Sequence, residues 1–240
     1  MRLIALIVVV SVALATASSS ASGPSATDHA AKAMQEGDFK AALAELKPLA
    51  EKGDPNAQFF LAMLYDAGNG VARDQARAAS LYRKAAEQHH LIAQLCLGVL
   101  YYTGQGVKKD VSEAARWFRT PADSGNDQAQ FYLGSLYAGG EGVKQDDSTA
   151  IHYLSGAAAQ RNTRAMGMLA TALFSRSHGQ GDQDLVDAYT WSHLAAEMDR
   201  VQAMTSARAV IEQYCNDDQK KRGEKAMADW KRRWSSASKQ

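Results

Sequence analysis

Few residues in this chain have types and spacings that offer chemistry. Gly104-Gln105-Gly106-Val107, within "LYYTGQGVKKD" (residues 100–110), follows an apolar run and precedes charge, as a phosphate-cradling loop would. Ser236-Ala237-Ser238-Lys239 has the Ser-x-x-Lys spacing of an acyl-transfer nucleophile and its lysine. His89-His90 offers two imidazoles to a metal, and Cys96 and Cys215 offer thiols. The surroundings argue against each. Adjacent histidines point apart and no further ligand stands at a recognisable spacing, so a solvated turn outweighs a metal site. The Ser-x-x-Lys match lies in a polar tail with no companion motif. The expectation is therefore no catalytic residue, no metal and no cofactor.

The glycine loop is judged by the elements around it. "AQFFLAMLYDAGNGVARD" from Ala57, "AQLCLGVLYYTGQGVKKD" from Ala93 and "AQFYLGSLYAGGEGVKQD" from Ala129 are copies of one pattern, 36 residues apart. A fourth copy, "AMGMLATALFSR", begins at Ala165 but lacks the glycine pair. A phosphate loop occurs once, follows a strand and carries a third glycine or a Lys-Ser/Thr pair. A motif repeated at fixed phase is a structural turn. Its first glycine ends a helix in a left-handed residue, its valine (Val71, Val107, Val143) tucks under the turn, and its aspartate (Asp74, Asp110, Asp146) caps the next helix.

Apolar residues at Ala57, Leu61, Leu64 and Tyr65 trace one face of a helix A. A second face follows in each copy: Ala78, Leu81, Tyr82 and Ala85; Ala114, Trp117 and Phe118; Ala150, Tyr153 and Leu154; Ala188, Trp191 and Ala195. Each unit is a helical hairpin whose small residues permit close approach. Cys96 occupies a helix-A position held by Phe60, Tyr132 and Met168 in its siblings, which reads as a packed thiol. Pro121 stands where siblings carry Ala85 and Ala157, and Pro48 interrupts the opening hairpin similarly; proline in a helix removes a hydrogen bond, kinking or shortening it. The fold class is all-α: a right-handed α-solenoid of stacked helix-turn-helix repeats.

The start, "MRLIALIVVVSVALATASSSASG", reads as an export signal: Arg2, an apolar stretch Leu3–Leu14 too short for a membrane span, and the small-x-small site Ala15-Thr16-Ala17. Without residues 1–17 the chain holds 223 residues with 26 basic and 26 acidic side chains, a neutral balance that argues against nucleic-acid binding. Two cysteines permit at most one bridge, so this is no disulfide-stapled scaffold. The expected organisation is a signal peptide at 1–17, a linker at 18–26, a divergent hairpin at 27–53, repeats at 54–89, 90–125, 126–161 and 162–199, capping helices at 200–235 and a tail at 236–240.

The pattern Ala-x3-Leu-Gly-x-Leu-Tyr-x2-Gly-x-Gly-Val, with an Ala- and aromatic-bearing second helix, resembles the Sel-1-like repeat, a relative of the tetratricopeptide class. The copies at Ala93 and Ala129 match fully; that at Ala57 has Ala62 in place of the glycine, and that at Ala165 keeps little beyond Ala165, Leu169 and Ala170. The resemblance implies an adaptor or scaffold binding a protein or peptide, often exported, and supplies no enzyme activity. Cysteine-rich exported relatives have been linked to β-lactam binding, but their paired cysteines are missing here. Periplasmic and secreted destinations both fit, with no stable membrane insertion after cleavage.

A stack of hairpins presents a concave surface lined mainly by A helices. By phase, the third, seventh and tenth positions of helix A point away from the hairpin core: Phe59, Met63 and Asp66; Leu95, Val99 and Tyr102; Phe131, Ser135 and Ala138; Gly167, Thr171 and Phe174. The expected partner-binding set is Phe59, Met63, Leu95, Val99, Tyr102, Phe131 and Ser135. Two readings of the stripe stand together: an apolar peptide groove, or side chains buried against the next A helix. At the end, "NDDQKKRGEKAMADWKRRW" reads as a capping helix started by Asn216, with Ala226, Trp230 and Trp234 on one face. Eight basic against four acidic residues in 216–240 leave an anionic surface as a lesser partner.

Overall fold

Alanine-rich amphipathic segments divided by short polar turns make a chain whose regular structure, among the described residues, is all helical. The computed structural model describes residues 26–177, 181–198 and 202–237, which form twelve α-helices and no strand. Residues 1–25, which hold the expected signal peptide and most of the expected linker, lie outside them. In order the helices are α1 (Ala26–Glu36), α2 (Phe39–Glu51), α3 (Pro55–Ala67), α4 (Gln75–Glu87), α5 (Leu91–Thr103), α6 (Val111–Asp123), α7 (Asp127–Gly139), α8 (Asp147–Ala159), α9 (Thr163–Ser177), α10 (Asp182–Met198), α11 (Gln202–Tyr214) and α12 (Asp217–Ala237).

Two compact units divide the chain between Trp117 and Phe118, within α6. In the first, α1 packs on α2, α2 on α3, α3 on α4 and α4 on α5. Its core joins Leu46, Phe59, Leu64, Tyr82 and Leu97, all buried, with Val71 and Val107 packed against it. In the second unit α7 to α10 pack in sequence, and α10 also carries α11 and α12. Met166, Leu169, Tyr189, Leu194 and Ile211 fill that core.

Local chemistry fixes each element. The A helices begin on Asp54, His90, Asn126 and Asn162, whose side chains accept from the amides of Ala57, Ala93, Ala129 and Ala165 at 2.7, 3.1, 2.8 and 3.1 Å. Asp74, Asp110 and Asp146 cap the B helices in the same way through Arg77, Glu113 and Thr149. Beside these caps runs a glutamine ladder: Gln58, Gln94 and Gln130 donate to the carbonyls of Ala50, Ala86 and Ala122 near the end of the preceding B helix. These last-turn carbonyls also accept from the amides of Gly53, His89 and Gly125, so each glutamine adds a second bond at the helix end. In the third repeat the approach of α7 to α8 needs a missing side chain, because a Cβ on Gly134 would lie 2.8 Å from Leu154 Cγ.

Both prolines are absorbed. Helix α6 runs through Pro121 and α2 through Pro48, each for 13 residues like α4 and α8, so neither proline shortens its helix. Pro121 lies in the last turn, and its carbonyl still accepts from Asn126 N–H at 2.9 Å. The fourth repeat lacks the glycine turn and has longer helices, α9 of 15 residues and α10 of 17.

Candidate interaction surface

The repeated glycines prove structural in their backbone angles. Gly68, Gly104 and Gly140 end α3, α5 and α7 with φ of 75°, 75° and 65°, and their amides donate to Leu64, Leu100 and Leu136. The second glycine of the loop is also left-handed and lies against the preceding hairpin: a Cβ on Gly106 would fall 2.2 Å from the Gln75 carbonyl oxygen, and one on Gly70 2.7 Å from Phe39 Cβ. In these two copies the second glycine serves a close approach of the turn to the preceding hairpin, and among the described residues no strand precedes it as one precedes a phosphate loop.

The histidine pair separates into two roles. His89 is exposed at φ 64°, the turn position that Gly53, Gly125 and Arg161 fill elsewhere. His90 is not solvated: its Nδ1 caps α5 and its ring stacks on Phe59 at 4.6 Å between centroids. Burial pushes its pKa below 6.5. Among the described residues no cluster of His, Cys, Asp and Glu is arranged for a metal. Cys96 and Cys215 are both free thiols. Burial raises the Cys96 thiol to about 12, with the Asp66 charge adding to the rise while a hydrogen bond with Tyr82 opposes it, the reverse of an activated nucleophile. Ser236 Oγ donates to the Arg233 carbonyl of its own helix at 2.8 Å, and Ser238 and Lys239 lie outside the described residues.

In the first three copies the third position of helix A is buried, the second of the two readings of the stripe. Phe59 is 1 % exposed, Leu95 and Phe131 each 6 %. In the first unit Phe59 packs on Phe60, Tyr82 and His90; in the second, Phe131 packs on Tyr132 beneath the Arg164 guanidinium at 4.2 Å. Large apolar rings one turn from the hairpin core complete that core rather than face solvent. The seventh and tenth positions differ: Met63, Val99 and Tyr102 in the first unit and Ser135, Ala138 and Phe174 in the second are only half-buried. Lys109 Nζ stands 5.9 Å from the Tyr102 ring centroid, and Ser135 Oγ donates to the Phe131 carbonyl at 2.7 Å.

A second concavity, absent from the sequence expectations, lies in the second unit. Arg119, Tyr137 and the turn Gly142–Asp146 line a cleft of about 540 Å³. Arg119 Nη2 donates to Tyr137 Oη at 3.3 Å, and the Tyr137 ring stacks on Tyr153 at 6.3 Å and 12°. Tyr153 in turn donates to Asp123 Oδ1 at 2.8 Å, and burial together with that carboxylate lifts its pKa to about 12. A signal for this site is present in the sequence: in the first unit Arg83 also hydrogen-bonds Tyr101, and the 18-residue spacing of Arg83 to Tyr101 returns in Arg119 to Tyr137. Phase analysis of apolar positions passes over it because both members are polar at their tips.

Comparison with known proteins fits this architecture. No curated protein matches the chain. Among solved structures, the c5321 protein of uropathogenic Escherichia coli, described as a protective antigen displaying an SLR fold, superposes with a TM-score of 0.69 at 30% identity. That match covers 83% of this chain and 43% of the antigen, so the chain spans less than half the antigen's length. A Sel1 repeat protein from Oxalobacter formigenes superposes with a TM-score of 0.60 at 22% identity, covering 78% of this chain and 85% of that one, and shares the fold. The family pattern described as Sel1 repeat matches four consecutive segments, 55–90, 91–126, 127–162 and 163–199, and on those four matches the chain belongs to the Sel1 repeat family.

Proposed function

We propose that this protein is an exported, non-catalytic adaptor that binds a segment of a partner protein on its A helices. Sel1 repeats are commonly protein-interaction scaffolds. The observation that carries the reading is the accessibility pattern along helix A in the first three copies: the third position is buried, while the seventh and tenth stay half-exposed. The binding residues are then Met63, Val99 and Tyr102 in the first unit and Ser135 in the second, with Phe59, Leu95 and Phe131 supporting them from beneath. Apolar and aromatic side chains of this kind supply the anchors that dominate peptide recognition. The apolar stretch Leu3–Leu14 and the Ala15-Thr16-Ala17 site support export, with the periplasm as destination. In-cell crosslinking with mass spectrometry tests the adaptor role, comparing the native chain with a Val99→Asp, Tyr102→Ala variant whose helical circular dichroism is unchanged. One partner captured by the native chain and lost by the variant supports the reading; equal capture removes these residues from the site.

A second reading, a secreted factor that binds a host or neighbouring-cell protein, is favoured by one observation, the likeness to a protein described as a protective antigen. Fractionation separates the two: recovery from the periplasm supports the adaptor, recovery from the culture medium the secreted factor.

A further inference from the structure

We propose that the cleft at Arg119, Tyr137 and Lys144 is a docking subsite for an acidic side chain of a partner peptide, followed by an apolar residue. The proposal rests on the adaptor reading and places part of the bound segment in the second unit. Its basis is an imbalance of commitments among the charged groups there. Asp146 spends both oxygens on Thr149, accepting from the backbone N–H at 3.1 Å and from the hydroxyl at 2.8 Å. Asp123 accepts from the Tyr153 hydroxyl. Arg119 and Lys144 both line the cleft with no carboxylate oxygen of a described residue in ion-pair contact, although the Lys144 charge is felt by Asp146 at the cleft's edge. Among the described residues Arg119 donates to a neutral phenol, which steadies the guanidinium and leaves its other N–H groups for a carboxylate.

The rest of the lining suits a peptide. The amides of Gly142, Val143, Lys144 and Gln145 make no hydrogen bond to a described residue, so the turn adds backbone donors to two cations. The flat face of Tyr137, held by its stack on Tyr153, and the side chain of Val143 provide an apolar wall beside them. A Glu-Leu or Asp-Leu step places its carboxylate on Arg119 and Lys144 and its next side chain against that wall. At about 540 Å³ the cleft has the volume of a site for a ligand of a few residues.

The test uses the full chain and two pools of fluorescein-labelled octapeptides, acetylated and amidated, with Glu-Leu or Gln-Leu fixed at the centre and neutral residues elsewhere. Fluorescence anisotropy is expected to show the Glu pool binding about tenfold more tightly than the Gln pool, the lower end for charge-assisted hydrogen bonds at an exposed site. Arg119→Gln should remove that difference, Lys144→Gln should reduce it, and Lys47→Gln, an exposed charge in the first unit, should leave it intact. No binding by either pool, equal binding of the two, or an equal loss on Lys47→Gln would overturn the proposal. Crosslinking distinguishes its failure from failure of the adaptor reading: a partner still captured by Arg119→Gln and lost by the Val99→Asp, Tyr102→Ala variant keeps the adaptor and removes the cleft.

Discussion

His90 shows how one side chain resolves several demands at the residue scale. As a helix cap it must present an unprotonated Nδ1 to Ala93 N–H, and as a neighbour of Phe59 it must be a flat, neutral ring. Burial, the largest influence, lowers its pKa from 6.5, so the unfolded chain binds this proton more readily than the folded one. The stabilisation is thus present above pH 6.5 and is lost as pH falls through the folded pKa. His193, lowered by burial in the second unit, has the same sign. Urea unfolding followed from pH 7 to pH 5 should show His90→Asn flattening the acid-side loss, with the part due to His193 remaining; asparagine retains the cap, worth about 1 kcal/mol. An unchanged slope would mean that His90 does not titrate in this window. Cys96 makes the complementary case. Burial holds the Cys96 thiol well above its ordinary range, so iodoacetamide should alkylate it far more slowly in native protein than in denaturant. Alkylation of Cys96 in the native chain at the rate of a free thiol would refute the assignment.

Among the elements, the turns discriminate between glycines that look alike in sequence. Gly106 and Gly125 share a positive φ, 69° and 88°, but a Cβ at Gly106 meets the Gln75 carbonyl oxygen whereas one at Gly125 meets nothing within 4 Å. Gly106→Ala should therefore cost about 3 kcal/mol, since left-handed strain and a backbone clash coincide. Gly125→Ala should cost only about 1 kcal/mol, the strain alone, as the residues His89 and Arg161 at the equivalent turns already suggest. Chemical denaturation of the two variants checks the order. Equal losses would show that the loop yields around Gly106 and that the close approach is not a constraint. The same contrast explains why the glycine pair recurs while the inter-repeat turn varies.

At the scale of the whole molecule, the fold was legible because its signal is repeated: three copies at 36 residues state the helix faces, the left-handed glycines and the Asp caps three times over. The candidate surface was half legible. Phase analysis finds which positions of helix A leave the hairpin core, but not which of them a neighbour covers, so it left Phe59 and Phe131 between groove and burial, and His90 and Arg164 at the start of the next A helix lie on them. The Arg119 cleft escaped because it depends on which cations find partners, and that is decided in space. The end of the array was readable as a cap, and its packing makes the last prediction. Asn216 and Gln219 cap each other reciprocally at the start of α12, Arg222 pairs with Asp182, and Trp230 stands edge-on to Trp191. Gly223 lets α12 approach α10, since a Cβ there would come within 2.5 Å of Tyr189 Cδ1. Among the described helices α12 packs chiefly on α10, so a wedge at that contact weakens the seat of α12 before the repeats are touched. Gly223→Val should lift α12, raising hydrogen exchange across 217–237 and shifting tryptophan emission as Trp191 and Trp230 become wet, while exchange in α3 and α4 stays as in the native chain. Exchange unchanged in α12 would show that its seat on α10 tolerates a side chain at this contact, and that the ion pair and the tryptophans hold it without the glycine.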